Sequence, residues 1–239
     1  MKKFDLHIHS TCSRHKLWGV DGLNSPQQIV ETAINIGLDG IALTDHNTIK
    51  GGQKAIRYVK EKKLPLLIIP GAEIRSNTGD ILALGINEEI PSKLSVLETI
   101  DVIKEQGGIA IAAHPYKYNS RLGKLLRNSP IHSQFAAIEV FNSNIKKDAN
   151  DKASHLADEL SMPGVAGSDA HYIMNIGNGI TCLDIDNLSL DDFLNAIKTN
   201  KIKLICKYPP KRNTFNIYFK KFIHMLRRII GKGNKSCID

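Results

Sequence analysis

The stretch Phe4-Asp5-Leu6-His7-Ile8-His9-Ser10 opens the 239-residue chain, and its reading decides the fold. Phe4, Leu6 and Ile8 alternate with polar side chains, which is the period of a strand, and that period sets His7 and His9 on one side. The same event recurs: a short apolar run ends and a metal-type side chain follows. Residues 40–44 run into Asp45-His46, residues 66–69 lead to Glu73, residues 109–112 to His114-Pro115, and the strand at Gly164 to Asp169-Ala170-His171. Further strands are predicted at 81–84, 138–141 and 180–183, with helices at about 26–36, 52–62, 95–106, 148–160 and 190–199 among them. Ser25 can cap the first helix, Pro26 suits its first turn and Gly37 its end. Strands alternating with helices argue for an α/β fold with a parallel sheet and crossovers. Seven or so such units in about 200 residues suit a barrel, with an open doubly wound sheet as the alternative.

A lone His after a strand is an ordinary surface or core residue. Several at matching strand ends point to one site, because the C-terminal strand ends of a parallel barrel converge. Imidazole and carboxylate without thiolate favour Zn²⁺, Mn²⁺ or Fe²⁺. A carboxylate such as Glu73 can bridge two cations. A cation cluster lowers the pKa of bound water and clamps phosphoryl oxygens during in-line displacement. Neither a Ser–His–Asp pattern nor a phosphate-binding G-x-x-x-x-G-K-[ST] loop competes for the role.

Taken in order, Asp5-Leu6-His7-Ile8-His9-Ser10, Leu43-Thr44-Asp45-His46-Asn47, Gly71-Ala72-Glu73, Ala113-His114-Pro115 and Gly167-Ser168-Asp169-Ala170-His171 resemble the motifs of the PHP (polymerase and histidinol phosphatase) family, over roughly residues 4–185. The resemblance implies a distorted seven-stranded β/α barrel with two or three divalent ions (Zn, Mn or Fe). Carried over by position, His7, His9, Glu73 and Asp169 hold the first ion, and Glu73 bridges to a second that His114 also holds. His15, His46 and His171 hold a third; other members use an Asp in the loop of His15. Many members place a His within 79–85, where this chain has none, and Asp80 is the candidate substitute.

The activity so implied is hydrolysis of a phosphate ester by a metal-bridged hydroxide, with Glu73, Asp169 and His171 carrying the chemistry. Arg14, Arg75 and Arg121 are candidates for pairing with substrate phosphate. In Ile138-Glu139-Val140-Phe141-Asn142, Glu139 or Asn142 is placed to orient a ligand. A nucleotide or short oligonucleotide, such as a nucleoside 3′,5′-bisphosphate, is the first choice of substrate. Histidinol phosphate, phosphotyrosine and a C–N bond are the alternatives, and a non-catalytic RNA-binding subunit of the ribonuclease P type is the rival from another class.

Composition is that of a globular protein, 42% apolar and 23% charged, and no run approaches a membrane span. The first residues offer no apolar signal stretch, so the cytoplasm is expected. Cys12, Cys182, Cys206 and Cys237 show no paired spacing, which fits a reducing compartment; Cys12 reads as a small buried hydrophobe, with a ligand or reactive thiol as the alternative. The net charge of +8 is local: residues 203–239 carry ten Lys/Arg and one acid, and the first 202 residues carry 22 Lys/Arg and 23 acids. The expected division is therefore a barrel over 1–206 and a basic tail over 207–239. In the tail, Phe215, Tyr218, Phe219, Phe222, Leu226 and Ile229 fall on one helical stripe, opposite Lys220, Lys221, Arg227 and Arg228. Such a helix docks on the barrel or, alternatively, meets nucleic acid or an anionic membrane surface.

Overall fold

The computed structural model describes residues 1–14, 19, 21–199, 202–210 and 223. His15, Cys237 and, but for position 223, the stretch expected to form the basic amphipathic helix lie outside them. Among the described residues, no helix is long and apolar enough to cross a membrane.

Nine strands form one sheet: β1 (Lys2–Ile8), β2 (Gly40–Leu43), β3 (Leu67–Arg75), β4 (Asp80–Leu84), β5 (Ile109–Ala112), β6 (Ala137–Asn142), β7 (Gly164–Gly167), β8 (Gly179–Leu183) and β9 (Ile202–Cys206). Their order is β7-β6-β5-β4-β3-β2-β1-β8-β9. The sheet curls nearly closed just beyond β7, where His9 N donates to Ala170 O (2.9 Å) and Ala170 N donates to His7 O (3.2 Å). This is the expected barrel-like α/β architecture, with two corrections.

Among the described residues the strands number nine, not seven, and β4, β8 and β9 run antiparallel to their neighbours. Only residues 76–79 separate β3 from β4, too few for a crossover of a dozen or more. β9 escapes a reading by apolar runs because it is a half-buried edge strand. Glu73 also lies within β3 rather than after it.

Helices α1 (Pro26–Asn35), α2 (Lys50–Lys62), α3 (Val96–Glu105), α4 (Leu122–Asn128), α5 (Lys147–Glu159) and α6 (Leu190–Ile197) complete the fold. α1 begins as expected, with Ser25 and Gln28 capping each other's backbone amides and Pro26 in the first turn. α6 packs Phe193, Leu194 and Ile197 among Phe4, Leu6, Leu82, Ile111 and Val165, so it closes the apolar end of the barrel. The Phe4 and Phe193 ring centroids are 5.1 Å apart. The other end is left for the polar side chains.

Candidate metal centre

Two irregular strands aim the donors. Strict alternation would group Ile8 with Phe4 and Leu6, yet Ile8 packs with Ile29, Val30 and Ile41 in a different cluster. The register of β1 against β2 shifts between Asp5 and Ile8, and that shift turns the strand so that His7 and His9 follow Leu6 to the inside. β6 shifts likewise between Glu139 and Phe141. As a result Glu139 and Asn142, three apart and on opposite faces of a regular strand, both reach the site.

Glu73 is the hub. Its Oε2 lies 2.9 Å from His46 Nδ1, 3.3 Å from His9 Nε2 and 3.4 Å from His7 Nε2, and its Oε1 lies 2.9 Å from His114 Nε2. Asp169 Oδ1 lies 3.2 Å from His9 Nε2 and 3.5 Å from both His7 Nε2 and His171 Nδ1. His114 and Asp169 are held at φ 26° and 50°, backbone values that cost energy outside glycine and gather at functional sites. Seven side chains named from the sequence thus meet: His7, His9, His46, Glu73, His114, Asp169 and His171.

Asp21 is the member the sequence reading missed. Its Oδ2 lies 2.9 Å from His171 Nε2 and 3.2 Å from His46 Nε2, the two imidazoles that His15, outside the described residues, is expected to join. The signal was the Asp21-Gly22 pair. A Cβ on Gly22 would fall 2.3 Å from the Ser10 carbonyl oxygen, so only glycine lets this loop lie on the His9-Ser10 backbone.

Several buried polar atoms have no hydrogen-bond partner: His7 Nε2, His9 Nε2, His114 Nδ1, Glu73 Oε2 and Asp169 Oδ1. Such orphans are costly unless something satisfies them. Four of the five converge on one point between His7, His9, Glu73 and Asp169, as ligands do around an ion. His171 tells the same story. Its Nδ1 lies 2.9 Å from the Asp169 carbonyl oxygen, which assigns the proton to Nδ1 and leaves the Nε2 lone pair facing the Asp21 carboxylate. Two acceptors at 2.9 Å call for a cation or a proton between them. The donor set fits divalent metal.

Charge balance agrees. Burial opposes the His7 imidazolium, but Asp169, Glu139 and Glu73 outweigh it and hold its pKa well above the ordinary value. Burial likewise opposes charge on His46, yet Glu73 and Asp21 raise it to about 10. Burial works against ionised Glu73 and Asp169 too, and the surrounding imidazoles, with Lys117 beside Asp169, hold both well below the carboxylate range. Burial and the neighbouring His9 lower His171. An ion entering this site must displace protons from imidazoles that otherwise keep them up to about pH 10 at His46. Affinity for Mn²⁺ should therefore rise with pH across the neutral range, by roughly tenfold per unit for each proton displaced. Calorimetric titration at pH 6.5 and 8.5 checks this, and a pH-independent affinity would refute it.

Behind the donors, Glu139 Oε1 lies 2.9 Å from His7 Nδ1, and its Oε2 accepts from His114 N (2.8 Å) and Asn142 Nδ2 (3.1 Å). Gly167 makes that approach possible, because a Cβ there would fall 2.5 Å from His7 Cβ and 2.7 Å from Glu139 Oε1. Gly167→Ala is expected to cost about 1–3 kcal/mol of stability by overpacking and to weaken metal binding. Thermal unfolding and Mn²⁺ titration read both, and a variant unchanged in each would contradict the packing argument. Asp45 has a structural role: it accepts from Ser10 N (2.6 Å) and Ser10 Oγ (2.7 Å).

The three arginines are placed differently. Arg14 is exposed. Arg75 grips Asp80 through Nε and through Nη2 (3.0 Å), and Arg121 Nη2 donates to Asn77 O (3.1 Å). Asp80 stands with Glu73 and His114 in a further donor group. Cys12 is buried and belongs to none of the donor groups found among the described residues.

Comparison with known proteins decides the family. The sequence profile of the PHP domain matches residues 5–120, and that of the PHP-associated region matches 147–202. An uncharacterized protein of Methanocaldococcus jannaschii is 41% identical over 145 residues, which is 59% of this chain and 82% of that one. The chain belongs to the PHP family. A 5′-3′ exoribonuclease of Haemophilus influenzae is 32% identical over 114 residues, 46% of this chain but only 38% of the relative. In structure, the PHP fold is shared with a two-domain protein from Bacteroides vulgatus described as containing a predicted PHP-like metal-dependent phosphoesterase, at a TM-score of 0.70, 20% identity, and coverage of 92% of this chain and 69% of that one. Family membership and the clustered imidazole and carboxylate donors agree with a metal-dependent hydrolase acting on phosphate esters.

Proposed function

We propose that the chain hydrolyses a phosphate ester of a nucleotide or short oligonucleotide, nucleoside 3′,5′-bisphosphates included. The observation that carries this reading is a cationic cleft beside the donor cluster. Asp80 and Lys117 border a hollow of about 230 Å³ that Arg75, Tyr118 and Arg121 also line. Past Thr78 and Arg121 it adjoins a second hollow of about 450 Å³ that carries Lys124. Tyr118 is 91% exposed and presents its ring to that cleft. Cations along a groove suit a run of phosphates, and an exposed aromatic ring suits stacking by a base. The exoribonuclease relative supports the same substrate class.

In this reading His7, His9, Glu73 and Asp169 would hold one divalent ion, and Asp21, His46 and His171 another. Bound there, such ions supply a lowered water pKa and neutralise charge on the phosphoryl oxygens. The chain's own contribution is positional. Glu73 fixes four imidazoles at once, His171 is left as an electron-pair donor through Nε2, and Lys117 and Arg121 offer N–H donors to substrate oxygens.

The test is a panel assayed with Mn²⁺: phenyl phosphate, histidinol phosphate, phosphotyrosine, a nucleoside 3′,5′-bisphosphate and short 5′-phosphorylated RNA. The nucleotide substrates should be preferred. The double variant Arg121→Ala, Lys124→Ala should lower kcat/KM for them by roughly tenfold, the scale of one charge-assisted hydrogen bond, and spare phenyl phosphate. Preference for histidinol phosphate or phosphotyrosine would overturn the substrate class.

A further inference from the structure

The donor group Glu73, Asp80 and His114 differs in what surrounds it from the two groups assigned ions above. Its carboxylate Asp80 is not available as the others are. Arg75 holds it from two nitrogens, one of them Nη2 at 3.0 Å from Oδ2. A second fixed cation, the Lys117 ammonium, lies 3.9 Å from Asp169 Oδ2. Lys117 also lines the same hollow as Arg75 and Asp80. The same corner thus already contains two positive charges from the chain.

A divalent ion there would meet His114 and one oxygen of Glu73, with both oxygens of Asp80 engaged by Arg75. A hard or borderline dication needs about four to six donors and no like charge at contact distance. Among the described residues the group of Asp21, His46 and His171 has no Lys or Arg paired to it, and in the group of His7, His9, Glu73 and Asp169 the Lys117 ammonium meets only Asp169 Oδ2 while Oδ1 faces the imidazoles. Lys117 is itself 39% exposed in its side chain and borders the cleft, so its ammonium can reach a substrate oxygen.

We propose that Lys117 and Arg75 take the place of a third cation: the enzyme holds two divalent ions, and Lys117 binds the phosphoryl oxygen that faces the remaining corner. This rests on the metal-dependent reading of the site but on no choice of substrate.

The first test counts metal and needs no activity. The full chain is saturated with Mn²⁺, freed of unbound ion by gel filtration, and analysed for Mn per chain. Two equivalents are expected, and Asp80→Asn should leave the count at two. Three equivalents in the unaltered chain, or a loss of one in Asp80→Asn, would overturn the proposal. The second test uses Lys117→Gln, with Lys117→Arg as the conservative control. Lys117→Gln should keep two equivalents of Mn²⁺ while kcat/KM for phenyl phosphate falls by about 10²-fold, the scale of removing one preorganised donor, and Lys117→Arg should recover most of it. Full activity in Lys117→Gln would remove its assigned role. Because the count is read without substrate, a wrong substrate class leaves it intact. A chain that binds two ions yet hydrolyses no ester would refute the enzymatic reading alone.

Discussion

Glu73→Ala should lose Mn²⁺ binding and drop phosphoesterase activity by about 10²–10³-fold or more, the scale set by losing a preorganised electrostatic group. Among the described residues no other carboxylate meets four imidazoles. Oε2 serves His46, His9 and His7, Oε1 serves His114, and these four imidazoles come from three separate parts of the chain. Removing the carboxylate takes from them the one counter-charge all four share, in a site where Glu73 is 1% exposed. Deleting one partner of a buried ionic cluster is typically worth about 3–5 kcal/mol, so thermal unfolding belongs beside the assay. Glu73→Gln keeps the shape and separates folding from ligation: it should fold and still bind metal poorly, because its amide offers N–H where a lone pair is needed. His7→Ala should fail in the same way. Retention of metal and activity in both alanine variants would leave the site without its function.

Glu139→Ala should weaken Mn²⁺ binding by about 10–100-fold, the usual cost of removing a group that orients a ligand. Glu139 ties His7 Nδ1 to the backbone amide of His114, so one carboxylate fixes the ring of one donor and the main chain of another. The amide of Glu139→Gln can accept from only one of them and would set N–H against N–H at the second, so an intermediate loss is expected. Because Glu139 positions rather than ligates, much of kcat should return at saturating Mn²⁺. An unchanged metal affinity in Glu139→Ala would show that His7 is held by packing alone.

Much of this site was legible in the chain. Strand-ending His7, His9, His46, His114 and His171, with Glu73 and Asp169, were named from apolar runs followed by donor residues, and they do come together. Glu139 or Asn142 was expected to orient a ligand, and both stand directly behind the donors. Asp21 was not seen because an acid in a loop carries no periodicity; only the fold of that loop over Ser10 and His9 gives it a place. The strand at 81–84 was expected but its antiparallel direction was not, because β3 runs on to Arg75 and leaves only residues 76–79 before β4.

The sequence by itself determined the chemistry. Imidazoles and carboxylates without thiolate select a divalent metal, and helix-strand alternation selects a barrel whose strand ends meet, because both follow from residue type and local period. The tertiary structure decided which donors share an ion and which are already spoken for. Register shifts in β1 and β6 re-aim His7, His9, Glu139 and Asn142, and ion pairs across a hairpin and the barrel mouth commit Asp80 to Arg75 and bring Lys117 to Asp169. These are matters of angle and distance between segments far apart in the chain, which spacing along a sequence does not encode.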